Sequence, residues 1–196
     1  MRILIATRNA HKLEEIGPML PGVELVSTAN WPDVPDPVED GETFIANAVI
    51  KAEAWCKATG LPTIADDSGL MVDALDGAPG IYSARYAGTH GDSAANNAKL
   101  LAELKDVPPA ERTAQFICAL ALAQPGEMTR TLQGTCRGRI ALEPSGRGGF
   151  GYDPLFIPDG YDRSFADLPE EVKAHLSHRA NAFEVARQRW AKVLTP

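Results

Sequence analysis

The 196-residue sequence is poor in cysteine, short of cations and free of long apolar runs, and each shortage excludes a class of protein. Cys56, Cys118 and Cys136 are the three cysteines; they leave one unpaired in any disulfide scheme, and none sits in a Cys-x-x-Cys spacing. Reduced, buried thiols are expected rather than zinc or redox chemistry. After Met1 and Arg2 only four apolar residues precede Thr7, and the longest later apolar run, residues 117–123, is far short of the ~20 residues that span a bilayer. A cytoplasmic protein with no membrane span is predicted. Lys and Arg number 19 against 26 Asp and Glu, a net charge of -7. That balance disfavours long nucleic acid, whose binding rests on neutralising many phosphates. A small anionic ligand needs only a local cluster of cations and remains open.

Against these shortages stand 44% hydrophobic and 23% charged residues, ordinary values for a folded domain, in a chain sized for one substantial core over residues 1–196. Ile3-Leu4-Ile5-Ala6 reads as a buried strand, followed by a polar turn and by Leu13, Ile16 and Leu20 at helical spacing. A second short strand covers residues 23–26. The segment 30–40 holds three prolines among four acids and reads as a loop. Thr43 is placed to cap a helix that ends before Gly60 and Pro62. Residues 62–65 read as a strand ending in acid, with Ser68-Gly69 as a turn and residues 70–75 returning. Two long strands, over 114–122 and 128–140, are expected after a helix that starts near Ser93. The last helix is expected from Ser177 to Leu194. Strands and helices mix without a regular βαβ repeat, so the class is α/β with a mixed sheet flanked by helices.

Three segments carry chemistry. Thr7-Arg8-Asn9-Ala10-His11-Lys12 joins a strand to a helix, where free backbone N–H groups and the helix dipole favour an anion. Arg8 and Lys12 oppose that dipole, which a bound anion would explain; a solvated turn beside Glu14 and Glu15 is the simpler alternative. Ser177-His178-Arg179 repeats the pattern near the other end of the chain. Asp66-Asp67-Ser68-Gly69 sets two carboxylates side by side, and neighbours on a strand point to opposite faces, so the two acids take different roles. One can hold a hard cation such as magnesium while the other accepts a proton from water. A solvated acidic turn is the plain alternative. His175 and His178 lack a third ligand for zinc.

Gly146-Arg147-Gly148-Gly149-Phe150-Gly151 matches the spacing of the dinucleotide fingerprint, but Asp153-Pro154 and an apolar strand follow where a helix is required. This argues against an oxidoreductase. A loop presenting Phe150, Tyr152 and Asp153 suits stacking on a base, with core packing of Phe150 as the alternative.

Taken in order, Thr7 to Lys12, Thr43-Phe44-Ile45-Ala46-Asn47-Ala48 with Lys51-Ala52, residues 65–70 and 77–86, Phe150-Gly151-Tyr152-Asp153-Pro154 and Ser177-His178-Arg179 resemble the non-canonical purine nucleoside triphosphate pyrophosphatases. These are the inosine/xanthosine triphosphatase family, and the match runs over nearly the whole chain. The resemblance implies an elongated mixed sheet in two lobes with the site in the cleft between them, and a homodimer. It also implies magnesium-dependent conversion of ITP, dITP or XTP to the monophosphate and pyrophosphate. Asp67 would be the proton acceptor and a metal ligand; Asp66, on the opposite face of the strand, is read as a supporting or second metal ligand. Ser68 would touch substrate, Thr7, Arg8, Asn9, Ala10, His11 and Lys12 would cradle the triphosphate, and Lys51 would assist. Phe150, Gly151, Tyr152, Asp153, Lys173, His178 and Arg179 would complete the nucleotide site, the last two near the base.

One departure stands out. The family usually has Glu where this chain has Ala46, three residues after Thr43. That Glu can complete a capping box. If it belongs instead to the metal site, Glu39 or Asp40 would have to compensate, and a nucleotide sensor that binds without cleaving becomes the rival expectation.

Overall fold

The computed structural model describes residues 2–194. Six strands form one sheet in the order β2-β1-β3-β4-β5-β6: β1 (Arg2–Ile5), β2 (Glu24–Ser27), β3 (Thr63–Val72), β4 (Thr113–Ala123), β5 (Arg130–Ile140) and β6 (Phe156–Pro158). β1 pairs parallel with both β2 and β3, whereas β5 and β6 are antiparallel, so the sheet is mixed as expected. The helices are α1 (Ala10–Met19), α2 (Phe44–Thr59), α3 (Ser93–Glu103), α4 (Glu170–Leu176), α5 (His178–Arg189) and α6 (Ala191–Leu194).

The chain divides into two compact units, one built from residues up to Asp67, Cys118–Gly134 and those from Arg179 on, the other from Ser68–Ile117 and Thr135–His178. The first has a core of Ile3, Ile5, Ile16, Ile64, Leu120 and Leu122 beneath Phe183, Ala186 and Trp190 of the C-terminal helices. The second packs Leu70, Leu100, Leu104, Phe116, Leu155, Phe156 and Phe165. Among the described residues no helix is long and apolar enough to cross a membrane, and the three cysteines are buried and in no disulfide.

Local chemistry accounts for the elements that carry the site. Asn9 caps α1, its Oδ1 accepting from Lys12 N–H at 3.3 Å. Thr43 caps α2 through Oγ1 and Ala46 N–H at 3.1 Å, and Gly60 ends that helix in the left-handed region at φ 70°.

Two expectations need correction. Ser68-Gly69 is not a turn, because β3 runs unbroken through it. The strand lies between β1 and β4 in the sheet, and glycine tolerates extended backbone there. The acidic pair therefore lies mid-strand. The C-terminal helix expected after Ser177 does start at His178, but it is two helices, α5 and α6, interrupted at Trp190.

Candidate active site

Alternation along β3 separates the two acids. The Asp66 side chain is fully buried, while Asp67 keeps 14% of its side chain exposed. Asp66 Oδ1 accepts from Lys12 Nζ at 2.7 Å, and Oδ2 accepts from Arg179 Nε at 2.7 Å. Cys118 Sγ, on the neighbouring strand, donates to the same Oδ2 at 3.4 Å. Arg179 also binds Glu15 of α1 through Nη1. Two cations and two carboxylates thus balance inside the first unit. Burial alone would push the Asp66 carboxyl up, but Arg179 and Lys12 outweigh it and hold it well below the ordinary range.

Asp67 belongs to a second cluster. Its Oδ1 and Glu39 Oε2 each lie 2.8 Å from Lys51 Nζ, which α2 brings in from the side. Burial lowers the Lys51 pKa, but Asp67 and Glu39 together carry it above the ordinary lysine value. Burial also dominates at Asp67, raising its carboxyl above the usual range against the pull of Lys51. The lysine has two anions for company, whereas the aspartate has one principal cation and a second carboxylate near it.

The remaining residues of the first segment are spread out. Thr7 Oγ1 accepts from Asn9 N–H at 3.1 Å. Arg8 turns to the loop, binding Asp36 at 2.7 Å and Val34 O at 3.1 Å. Ala10 opens α1, and His11 is exposed near Glu14 at 3.5 Å. Ser68 follows Asp67, half-buried on β3.

In the second unit Lys173 Nζ, on α4, lies 2.5 Å from Asp153 Oδ2 and 4.5 Å from the centroid of the Phe150 ring. Asp153 Oδ2 also accepts from Phe150 N–H at 2.7 Å. This tight loop requires glycine at 149: φ is +69°, and a Cβ there would stand 2.1 Å from Asp153 Oδ2. Tyr152 is buried and its hydroxyl donates to Ser83 O at 2.9 Å. Gly151 O accepts from Asn97 Nδ2 at 3.0 Å. His178 is buried with its ring stacked on Phe116, centroids 4.8 Å apart.

Sequence reasoning missed Glu15, Asn47, Asn97 and Phe116. Asn47 did offer a signal, as a polar residue between alanines on a helix, since a buried amide must find partners. Glu15 offered none beyond its place in the first turns of α1.

Among the described residues no three His, Cys, Asp or Glu side chains converge to hold a metal by themselves. Glu39 and Asp67 both pair with the Lys51 ammonium, however, each at 2.8 Å, and hard carboxylate oxygens brought to one neighbourhood suit magnesium, which commonly takes one or two carboxylates and completes its shell with phosphate and water.

A mixed α/β sheet thus carries two lysine–carboxylate clusters on consecutive residues of β3. The chain belongs to the Ham1 family, whose model matches residues 3–189. It is 50% identical over 188 residues to a dITP/XTP pyrophosphatase of Geobacter sulfurreducens, covering 95% of this chain and 94% of that protein. A dITP/XTP pyrophosphatase of Geobacillus kaustophilus is 49% identical over 194 residues, 98% and 95% of the two chains. The Staphylococcus aureus Ham1 protein superposes with a TM-score of 0.89 at 39% identity, covering 98% of this chain and 99% of that one. A nucleoside-triphosphatase, dITP/XTP pyrophosphatase, from Mycobacterium abscessus gives 0.80 at 48% identity, covering 94% and 98%.

Proposed function

We propose that this protein is a dITP/XTP pyrophosphatase, hydrolysing non-canonical purine nucleoside triphosphates to the monophosphate and pyrophosphate. The observation that carries the reading is the convergence of Asp67, Glu39 and Lys51, in a chain about half identical to enzymes of that name along almost its full length.

In this reading the Asp67 carboxylate takes the proton from the attacking water, a role suited to a base whose pKa burial has raised toward neutrality. Glu39 and Asp67 would hold magnesium, which supplies charge neutralisation on the phosphates. Lys51 and Lys12 neutralise phosphate charge, and the water attacks the α-phosphorus as pyrophosphate leaves. Thr7, Asn9, Ala10 and His11 offer the segment at the start of α1, and Ser68 follows the base on β3. Phe150, with Lys173 and Asp153 held beside it, supplies an aromatic face and polar edges for the purine. His178, buried and stacked on Phe116, is the proposed contact to the base.

Asp66 and Arg179 take supporting roles. A carboxylate with no exposure and two cationic partners supports a holding role for Lys12 rather than metal ligation. Arg179, 1% exposed and committed to Asp66 and Glu15, steadies that carboxylate. The proposal keeps magnesium as cofactor, a homodimer as the assembly and the cytoplasm as the compartment.

The test is a panel of XTP, dITP, ITP, ATP and GTP with magnesium, read as pyrophosphate release. The first three are turned over preferentially. Equal rates across the panel, or none, contradict the proposal.

A further inference from the structure

Glu39 lies in a segment without regular structure, yet its carboxylate reaches Lys51 at 2.8 Å. A side chain on such a segment explores many positions, and something must restrict it. Two residues on, Gly41 N–H donates to Asn47 Oδ1 at 2.8 Å. Asn47 is 2% exposed and sits four residues before Lys51, on the same face of α2. The backbone at Gly41 is pressed onto the helix. A Cβ there would stand 2.7 Å from Asn47 Oδ1, 2.8 Å from Ala46 Cβ and 2.9 Å from Asn47 N. Glycine is required here for close approach.

We propose that Asn47 and Gly41 form a clamp that positions Glu39 beside Lys51 and Asp67, so that Asn47 sets divalent-metal affinity without touching metal or substrate. The segment from Glu39 to Gly41 is too short to leave the carboxylate much freedom once the Gly41 amide is fixed. Asn47 and Lys51 share one helix, so fixing the loop on the first fixes the carboxylate relative to the second. The inference rests on the reading of Glu39 as a metal-holding residue.

The experiment measures Mn2+ binding by calorimetry in the absence of nucleotide, with hydrogen exchange at the Gly41 amide of the metal-free protein. Asn47→Ala weakens Mn2+ by about tenfold or more, the scale seen when a partner that orients a metal ligand is removed. Gly41→Ala does the same from the loop side while leaving the Asn47 amide in the core, and thermal melting confirms that each variant is folded. Asn47→Asp keeps the acceptor and keeps Mn2+ binding. In a Glu39→Gln background Asn47→Ala adds less than about twofold, because both changes remove one interaction. Equal losses in both backgrounds, or a Gly41 amide that exchanges as fast in the unchanged protein as in Asn47→Ala, overturn the clamp. If Glu39→Gln alone leaves Mn2+ binding intact, the metal reading of Glu39 is what fails, and the amide exchange still decides the clamp.

Discussion

Asp66 and Asp67 are consecutive residues on β3, yet they are held by different lysines: Lys12 lies 2.7 Å from the first and Lys51 2.8 Å from the second. The strand pleat turns one carboxylate into the core and leaves the other partly exposed, so a single dipeptide supplies both a buried anchor and the proposed base.

The anchor's contribution depends on pH in a definite direction. The folded pKa of Asp66 lies well below its ordinary value of 3.8, so its stabilising charge is fully present above 3.8 and is lost as pH falls through the folded value. Asp66→Asn leaves Arg179 and Lys12 without their shared anion and destabilises the protein by about 3–5 kcal/mol at neutral pH. Urea unfolding of both proteins from pH 7 to pH 2 shows that difference constant down to about pH 4 and shrinking below it. A difference that grows with acid contradicts the arrangement.

Much of this pairing was beyond the sequence. The motif residues were visible as an ordered set, and adjacency alone predicted that the two acids would differ. What was hidden was partnership over distance: Arg179 reaches Asp66 across 113 residues and Glu15 across 164. Nothing in local spacing encodes such pairs, which arise only when α5 and α1 both pack on the sheet. Ser68-Gly69 misled for the converse reason. The local turn preference is genuine, but strands on either side override it.

Lys51 is the principal cation beside Asp67, the proposed base. Lys51→Gln removes the cation that restrains the Asp67 pKa, which therefore rises further. As the proposed base Asp67 works deprotonated, so the acidic limb of the kcat/KM profile is expected to move to higher pH. Loss of charge stabilisation also lowers kcat by about 10²–10³-fold. A pH–rate profile of the variant checks both effects; an acidic limb that stays in place or moves down contradicts the coupling.

Ala46 stands where the resemblance leads to the expectation of an acid. Thr43 already accepts from Ala46 N–H, half of a capping box. Ala46→Glu completes the box and stabilises the fold by about 0.5–1 kcal/mol, with the magnesium concentration for half-maximal activity unchanged. Thermal melting and a magnesium titration measure the two effects. A fall in the magnesium requirement would move this position into the metal site.

Arg179 separates two roles. If it steadies Asp66, Arg179→Lys keeps the charge, loses the fork geometry and lowers stability and turnover, while the preference for XTP over ATP is retained within about threefold. Kinetics with both nucleotides decide it. Collapse of the preference would assign Arg179 to the base.

The most direct measurement is a single-turnover assay of XTP with the unchanged protein and with Asp67→Asn, paired with calorimetric binding of the same nucleotide. The account predicts pyrophosphate release by the first, a loss on the order of 10³-fold or more in the second, and nucleotide affinity within about tenfold of the original. An Asp67→Asn protein that still releases pyrophosphate at the original rate would contradict it.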